Sequence, residues 1–73
     1  MLEDWKQRLL DETREEANKL NKLNEFMASK KFANLTREEK DLLYEQQRIM
    51  SSFVQVLGKR LEHYGIKFSH KED

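Results

Sequence analysis

Large apolar residues recur along the first third of the chain at helical spacing. Leu2, Trp5, Leu9, Ala17, Leu20, Leu23 and Met27 follow in steps of three and four once Thr13 fills the one gap. Side chains spaced this way share one face of an α-helix. Leu10 and Phe26 widen the stripe, and the opposite face carries Glu3, Lys6, Asp11, Glu15, Asn18, Lys22 and Glu25. The pattern predicts a helix from about Leu2 to Met27.

The stretch from Ala28 to Leu35 is too short for a second long helix. Phe32 and Leu35 are expected to plug the end of a helix pair there, with room for a single helical turn. Thr36-Arg37-Glu38-Glu39 then reads as a helix start. The Thr36 hydroxyl can accept from the Glu39 N–H, and the Glu39 carboxylate can reach back to the Thr36 N–H.

The second long helix is predicted from Arg37 to about Tyr64, and it carries two adjacent apolar stripes. One reads Leu42, Gln46, Ile49, Phe53, Val56 or Leu57, Arg60. The other reads Leu43, Met50, Val54, Leu57, Leu61, Tyr64. Two stripes are more than one partner helix covers, so one is assigned within the chain and the other between subunits. Gly65 followed by Ile66 fits a Schellman stop, with Ile66 packing back on Leu61. Residues 67–73 are expected to form a short tail.

Two helices of about 39 and 42 Å, at 1.5 Å per residue, joined by a short connector make an antiparallel hairpin. The fold class is therefore all-α: a two-helix hairpin over residues 1–66. A chain of 73 residues that is 37% apolar would have to bury nearly all its apolar side chains to stand alone. One small globule does not reach that. Assembly into a homo-oligomeric helical bundle follows as an expectation, with Trp5, Met50, Phe53, Val54 and Leu57 at the interface.

Composition narrows the picture further. There is no proline, there are two glycines, and charged residues make up 38% with signs balanced at 14 each. Zero formal charge argues against general nucleic-acid binding, which is usually strongly basic. No cysteine is present, which removes disulfides, zinc–cysteine sites and thiol nucleophiles. No apolar run approaches a membrane span. Met1-Leu2-Glu3-Asp4-Trp5 is acidic and lacks a signal-peptide core. A cytoplasmic location is expected.

The chemistry-bearing residues suggest binding rather than catalysis. His63 and His70 are seven apart and fit no metal motif. No serine neighbours a base at a recognisable turn. No enzyme activity, metal or cofactor is expected. Gly58-Lys59-Arg60 stands out, because glycine inside a helix costs about 1 kcal/mol relative to alanine. Close approach of another backbone or a ligand would offset that. With Tyr64 one turn on, Lys59 and Arg60 supply the groups that hold a phosphate and stack a base. Lys30-Lys31-Phe32 is a second basic–aromatic cluster, read as a solvated turn with a core phenylalanine. Trp5 is read as a core or interface anchor.

From Lys22 to Leu61 the chain resembles a family of small helical-hairpin proteins of tailed phages and prophages, with relatives in crAss-like phages. The pattern is carried by Lys22, Leu23, Phe26, Ser29, Phe32, Leu35, Glu38, Leu42, Leu43, Gln46 or Gln47, Met50, Phe53, Leu57, Arg60 and Leu61. It spans about half the chain. Phe53 stands where relatives carry tyrosine, so no hydroxyl role transfers to it. The resemblance implies phage origin and a helical hairpin. Small phage proteins of this kind counter host defence, in some cases as oligomeric sponges for a nucleotide alarm signal. The glycine-tyrosine-arginine start of the best-known sponge family is absent here. The expectation is a phage-encoded anti-defence protein in the infected cell's cytoplasm. It would sequester a cyclic-nucleotide-type immune signal through Lys59, Arg60 and Tyr64, without cleaving it. The alternative is a helical interaction module that inhibits or assembles a host or phage protein.

Overall fold

The computed structural model describes residues 2–67. The expected tail beyond Lys67, His70 included, lies outside the described residues. Three helices follow in order: α1 (Asp4–Met27), α2 (Lys30–Ala33) and α3 (Arg37–His63). Helices α1 and α3 pack antiparallel through the short connector that holds α2. The all-α hairpin expected from the pattern is the observed fold.

The helix boundaries have local causes. At α1, Glu3 is extended and offers no side-chain cap. The helix therefore starts slightly later than the apolar pattern suggested, although Leu2 still packs on the core. At α3 the capping box forms in full. Thr36 Oγ1 accepts from the Glu39 N–H at 3.2 Å, and Glu39 Oε1 accepts from the Thr36 N–H at 2.9 Å. Thr36→Ala should lower stability by about 1 kcal/mol, read as a shift of the urea midpoint.

Helix α3 ends as a Schellman motif. The Ile66 N–H donates to the Leu61 carbonyl at 2.9 Å and the Gly65 N–H to the Glu62 carbonyl at 3.0 Å. Gly65 takes φ +73°, the left-handed conformation in which a Cβ would be strained. Ile66 then folds back against Leu61 and its neighbours.

The core sits toward the open end of the hairpin. Leu9 and Leu10 of α1 meet Leu57 and Leu61 of α3. Ala17 and Val54 extend the buried line toward the middle. Thr13 is fully buried in this stripe, and its hydroxyl donates to the Leu9 carbonyl at 2.7 Å. That bond satisfies the polar group and explains why the apolar repeat tolerates a threonine.

At the closed end, α2 presents Phe32 as the plug. Its ring lies edge-on to Phe26 at 6.3 Å and to Tyr44 at 5.6 Å. The Ser29 hydroxyl caps α2 by accepting from the Phe32 N–H. Lys30 and Lys31 point to solvent. The Lys30-Lys31-Phe32 cluster is thus a solvated turn around a core phenylalanine.

Of the two α3 stripes, the one carrying Val54, Leu57 and Leu61 is buried, with Leu57 and Leu61 packed on Leu9 and Leu10 of α1. Val54 and Leu57, expected at a subunit interface, lie inside this chain's own core, Leu57 at 1% exposure. The cause is register: α1 covers that side of α3 and takes both residues. Met50 is half-buried. The other stripe stays uncovered, with Leu42, Ile49, Phe53 and Val56 all exposed.

Gly58 has open space beside it. A Cβ built there would meet nothing within 4 Å. Among the described residues, no close approach offsets its helix-breaking cost. Gly58→Ala should raise stability by about 1 kcal/mol, and a lowered urea midpoint would contradict the open space found here.

Candidate functional site

The antiparallel arrangement brings the first turn of α1 to the last turn of α3. Trp5 and Tyr64 meet there, their ring centroids 4.8 Å apart and their planes at 79°. An edge-to-face pair of this kind is favoured by the ring quadrupoles. Lys6 Nζ stands 5.4 Å from the Trp5 ring centroid and 5.8 Å from that of Tyr64. His63 lies edge-on to Tyr64 at 4.9 Å. Each aromatic side chain keeps roughly two-fifths of its surface in solvent, 44% for Trp5 and 41% for Tyr64.

This end is held firmly from below. Leu9 follows Trp5 by one turn, and Leu61 precedes Tyr64 by nearly one. Both are in the buried cluster, and the Schellman stop fixes how the chain leaves α3. The Trp5, Lys6 and Tyr64 side chains thus stand beside the buried Leu9, Leu10, Leu57 and Leu61 cluster. Among the described residues, Lys6 pairs with Glu3 at 3.9 Å, a largely exposed carboxylate. Such a surface contact leaves the ammonium available to a stronger anion.

The three residues singled out from the sequence do not converge in one protomer. Arg60 and Lys59 are both exposed. At about 100° per residue, Arg60 sits about 40° around the helix from Tyr64, on the same side. Lys59 sits about 140° away, on the far side. Tyr64 and Arg60 share a surface; Lys59 does not. Lys6 was missed, because on α1 alone it belongs to an ordinary polar face. Trp5 was read as an anchor, and its ring turns out to be half of the aromatic pair.

Two other surface grooves exist among the described residues. One, of about 290 Å³, is lined by Leu20, Asn24, Gln47, Arg48, Ser51 and Ser52. It is crossed by a hydrogen bond from the Gln47 amide to Asn24 Oδ1. The other lies at the closed end between Arg37, Lys40, Asp41 and Tyr44. There Arg37 is paired with Asp41 at 3.2 Å, and Lys40 leans on Phe32. The first groove has no aromatic surface, and the second is lined by a single ring, Tyr44. The open end combines two half-exposed aromatic rings with a cation placed over both.

The chain is an all-α antiparallel helical hairpin with an aromatic–cation patch at its open end. The Sequestin family model matches residues 3–63, and the chain belongs to that family. Sequestins are phage proteins that sequester a bacterial immune signalling molecule and act by binding, not by catalysis. The match establishes a phage protein family; it does not single out crAss-like phages. No curated protein and no solved structure matches the chain. No helix is long and apolar enough to cross a membrane among the described residues.

Proposed function

We propose that this Sequestin binds a cyclic-nucleotide-type immune signal and withholds it from its receptor in the infected cell's cytoplasm, acting as a homo-oligomer. The observation that carries this is the placement of Lys6 over the Trp5 and Tyr64 rings at the open end. A nucleotide signal has a planar base and anionic phosphates. Base stacking on an aromatic side chain contributes about 1–3 kcal/mol, and a cation beside the stack meets the phosphate charge. Tyr64 and Trp5 would take the base. Lys6 and Arg60 would take phosphate oxygens. Lys59, on the far side of α3, would stand outside this site.

Isothermal titration calorimetry of the full chain against cyclic dinucleotides, cyclic trinucleotides and cyclic ADP-ribose isomers tests this. Saturable heat with one class, and recovery of that compound unchanged, is the expected result. Silence across the whole panel would overturn the nucleotide reading.

The exposed Leu42, Ile49, Phe53 and Val56 stripe favours a second reading, in which α3 docks on a host or phage protein. The two readings separate by mutation. Signal binding should fall with Tyr64→Ala or Lys6→Met, whereas docking on a protein should fall with Ile49→Lys.

A further inference from the structure

The uncovered stripe of α3 has the spacing of a coiled-coil seam. Leu42, Ile49 and Val56 are seven apart, and Gln46, Phe53 and Arg60 fall between and after them in alternating steps of four and three. All six are exposed. A repeat of 3.5 residues keeps a seam facing a parallel or antiparallel partner helix along its whole length.

Charge decides between the two directions. The row flanking the seam on its open side is Glu38, Glu45, Ser52 and Lys59, again seven apart and exposed. It runs from acidic to basic along the helix. On the other flank stand Leu43 and Met50, half-buried, and Leu57, buried. A second copy laid parallel would set Glu38 and Glu45 beside their own copies, and Lys59 and Arg60 likewise. A second copy laid antiparallel sets the acidic half of each helix against the basic half of the other.

We infer that two copies of this chain pair through α3 in antiparallel fashion, about a two-fold axis crossing the helix between Ile49 and Phe53. Phe53 then packs against Ile49 of the partner subunit and Gln46 against Val56 of the partner subunit, while the apolar stem of Arg60 ends the seam beside Leu42 of the partner subunit and leaves its guanidinium free at the open end. Lys59 meets Glu45 of the partner subunit on both sides of the axis. Ser52 lies at the axis, where a small side chain lets the helices approach. Zero formal charge offers little long-range repulsion against such pairing. The arrangement gives Lys59, which faces away from the Tyr64 side of its own helix, a partner. It also puts the two Trp5–Lys6–Tyr64 ends at opposite poles of the dimer, so two signal molecules would bind per dimer.

The inference specifies the self-association contained in the proposed function and does not depend on the ligand. Sedimentation velocity on the ligand-free full chain should give a dimer at micromolar concentration. Phe53→Glu and, separately, Ile49→Lys should shift it to monomer while circular dichroism stays helical. Glu45→Lys and Lys59→Glu should each weaken the dimer at least tenfold, and the double variant should regain most of the loss. Because the chain has no cysteine, one nitroxide can be placed at Ser52→Cys or at Glu38→Cys. Pulsed electron resonance should give a spacing under about 20 Å at the first, given helix axes about 8–10 Å apart. At the second it should give roughly 40 Å, from 26 residues of offset at 1.5 Å each. A monomeric wild type overturns the inference, as do short distances at both positions or a charge-swapped double variant no better than the singles. Calorimetry on the same variants keeps the two readings apart: a signal that fails to bind an intact dimer counts against the ligand reading alone.

Discussion

Leu61→Ala is expected to destabilise the chain by about 3 kcal/mol, within the range of about 2–5 kcal/mol for leucine truncations in cores. Leu61 is the most completely buried apolar side chain, at 0% exposure, and it packs with Leu9, Leu10 and Leu57. Its carbonyl also accepts the Ile66 N–H that closes α3, and Ile66 packs on the same cluster. Truncation therefore opens a cavity where the two helices and the C-terminal stop meet. In a chain this small a loss of that size is a large part of the total stability. Urea denaturation at one fixed protein concentration reads it as a lower midpoint with an unchanged slope. A loss below about 1 kcal/mol would mean that this end of the hairpin is not the packed core described here.

Tyr64→Ala is expected to weaken signal binding roughly 5- to 150-fold, the affinity equivalent of losing about 1–3 kcal/mol of base stacking. Tyr64 is two-fifths exposed and lies just past the end of α3, so the fold should survive the change. Tyr64→Phe should keep most of the affinity, because the ring face and not the hydroxyl does the stacking. Lys6→Met keeps the apolar stem over the rings and removes the charge. It should cost less than Tyr64→Ala and flatten the salt dependence of binding. Calorimetry on the three variants, with circular dichroism as the fold control, reads all of this. Unchanged affinity in Tyr64→Ala would move the site away from the open end.

Much of the fold is legible in the residues because its signals are local. The capping box needs only Thr36 and Glu39 three residues apart, and the Schellman stop needs only Gly65 followed by an apolar residue. Both form as the spacing predicts. The Phe32 plug follows from an apolar residue in a segment too short to be anything but a connector. At Gly58 the described residues leave the space beside the helix open, so the offset expected of another backbone or a ligand does not come from them. Local propensity states a cost; it does not say what stands across the gap.

The candidate site was half legible. Tyr64 was named from its neighbours on one helix, but the residues that complete its surroundings, Trp5 and Lys6, come from the other end of the chain. Lys59 and Arg60 are adjacent in sequence and look like one cationic unit, yet a helix turns about 100° per residue and separates them.

Periodicity, capping residues and the left-handed glycine determined by themselves that this chain forms two long helices and a tight turn, since each acts within a few residues of backbone. Only the tertiary structure decided which of two apolar stripes on α3 is consumed by α1, because both have the same period and differ only in which way the helix is turned. That choice of rotation buried Val54 and Leu57, left Leu42, Ile49, Phe53 and Val56 in solvent, and set Lys6 over Trp5 and Tyr64.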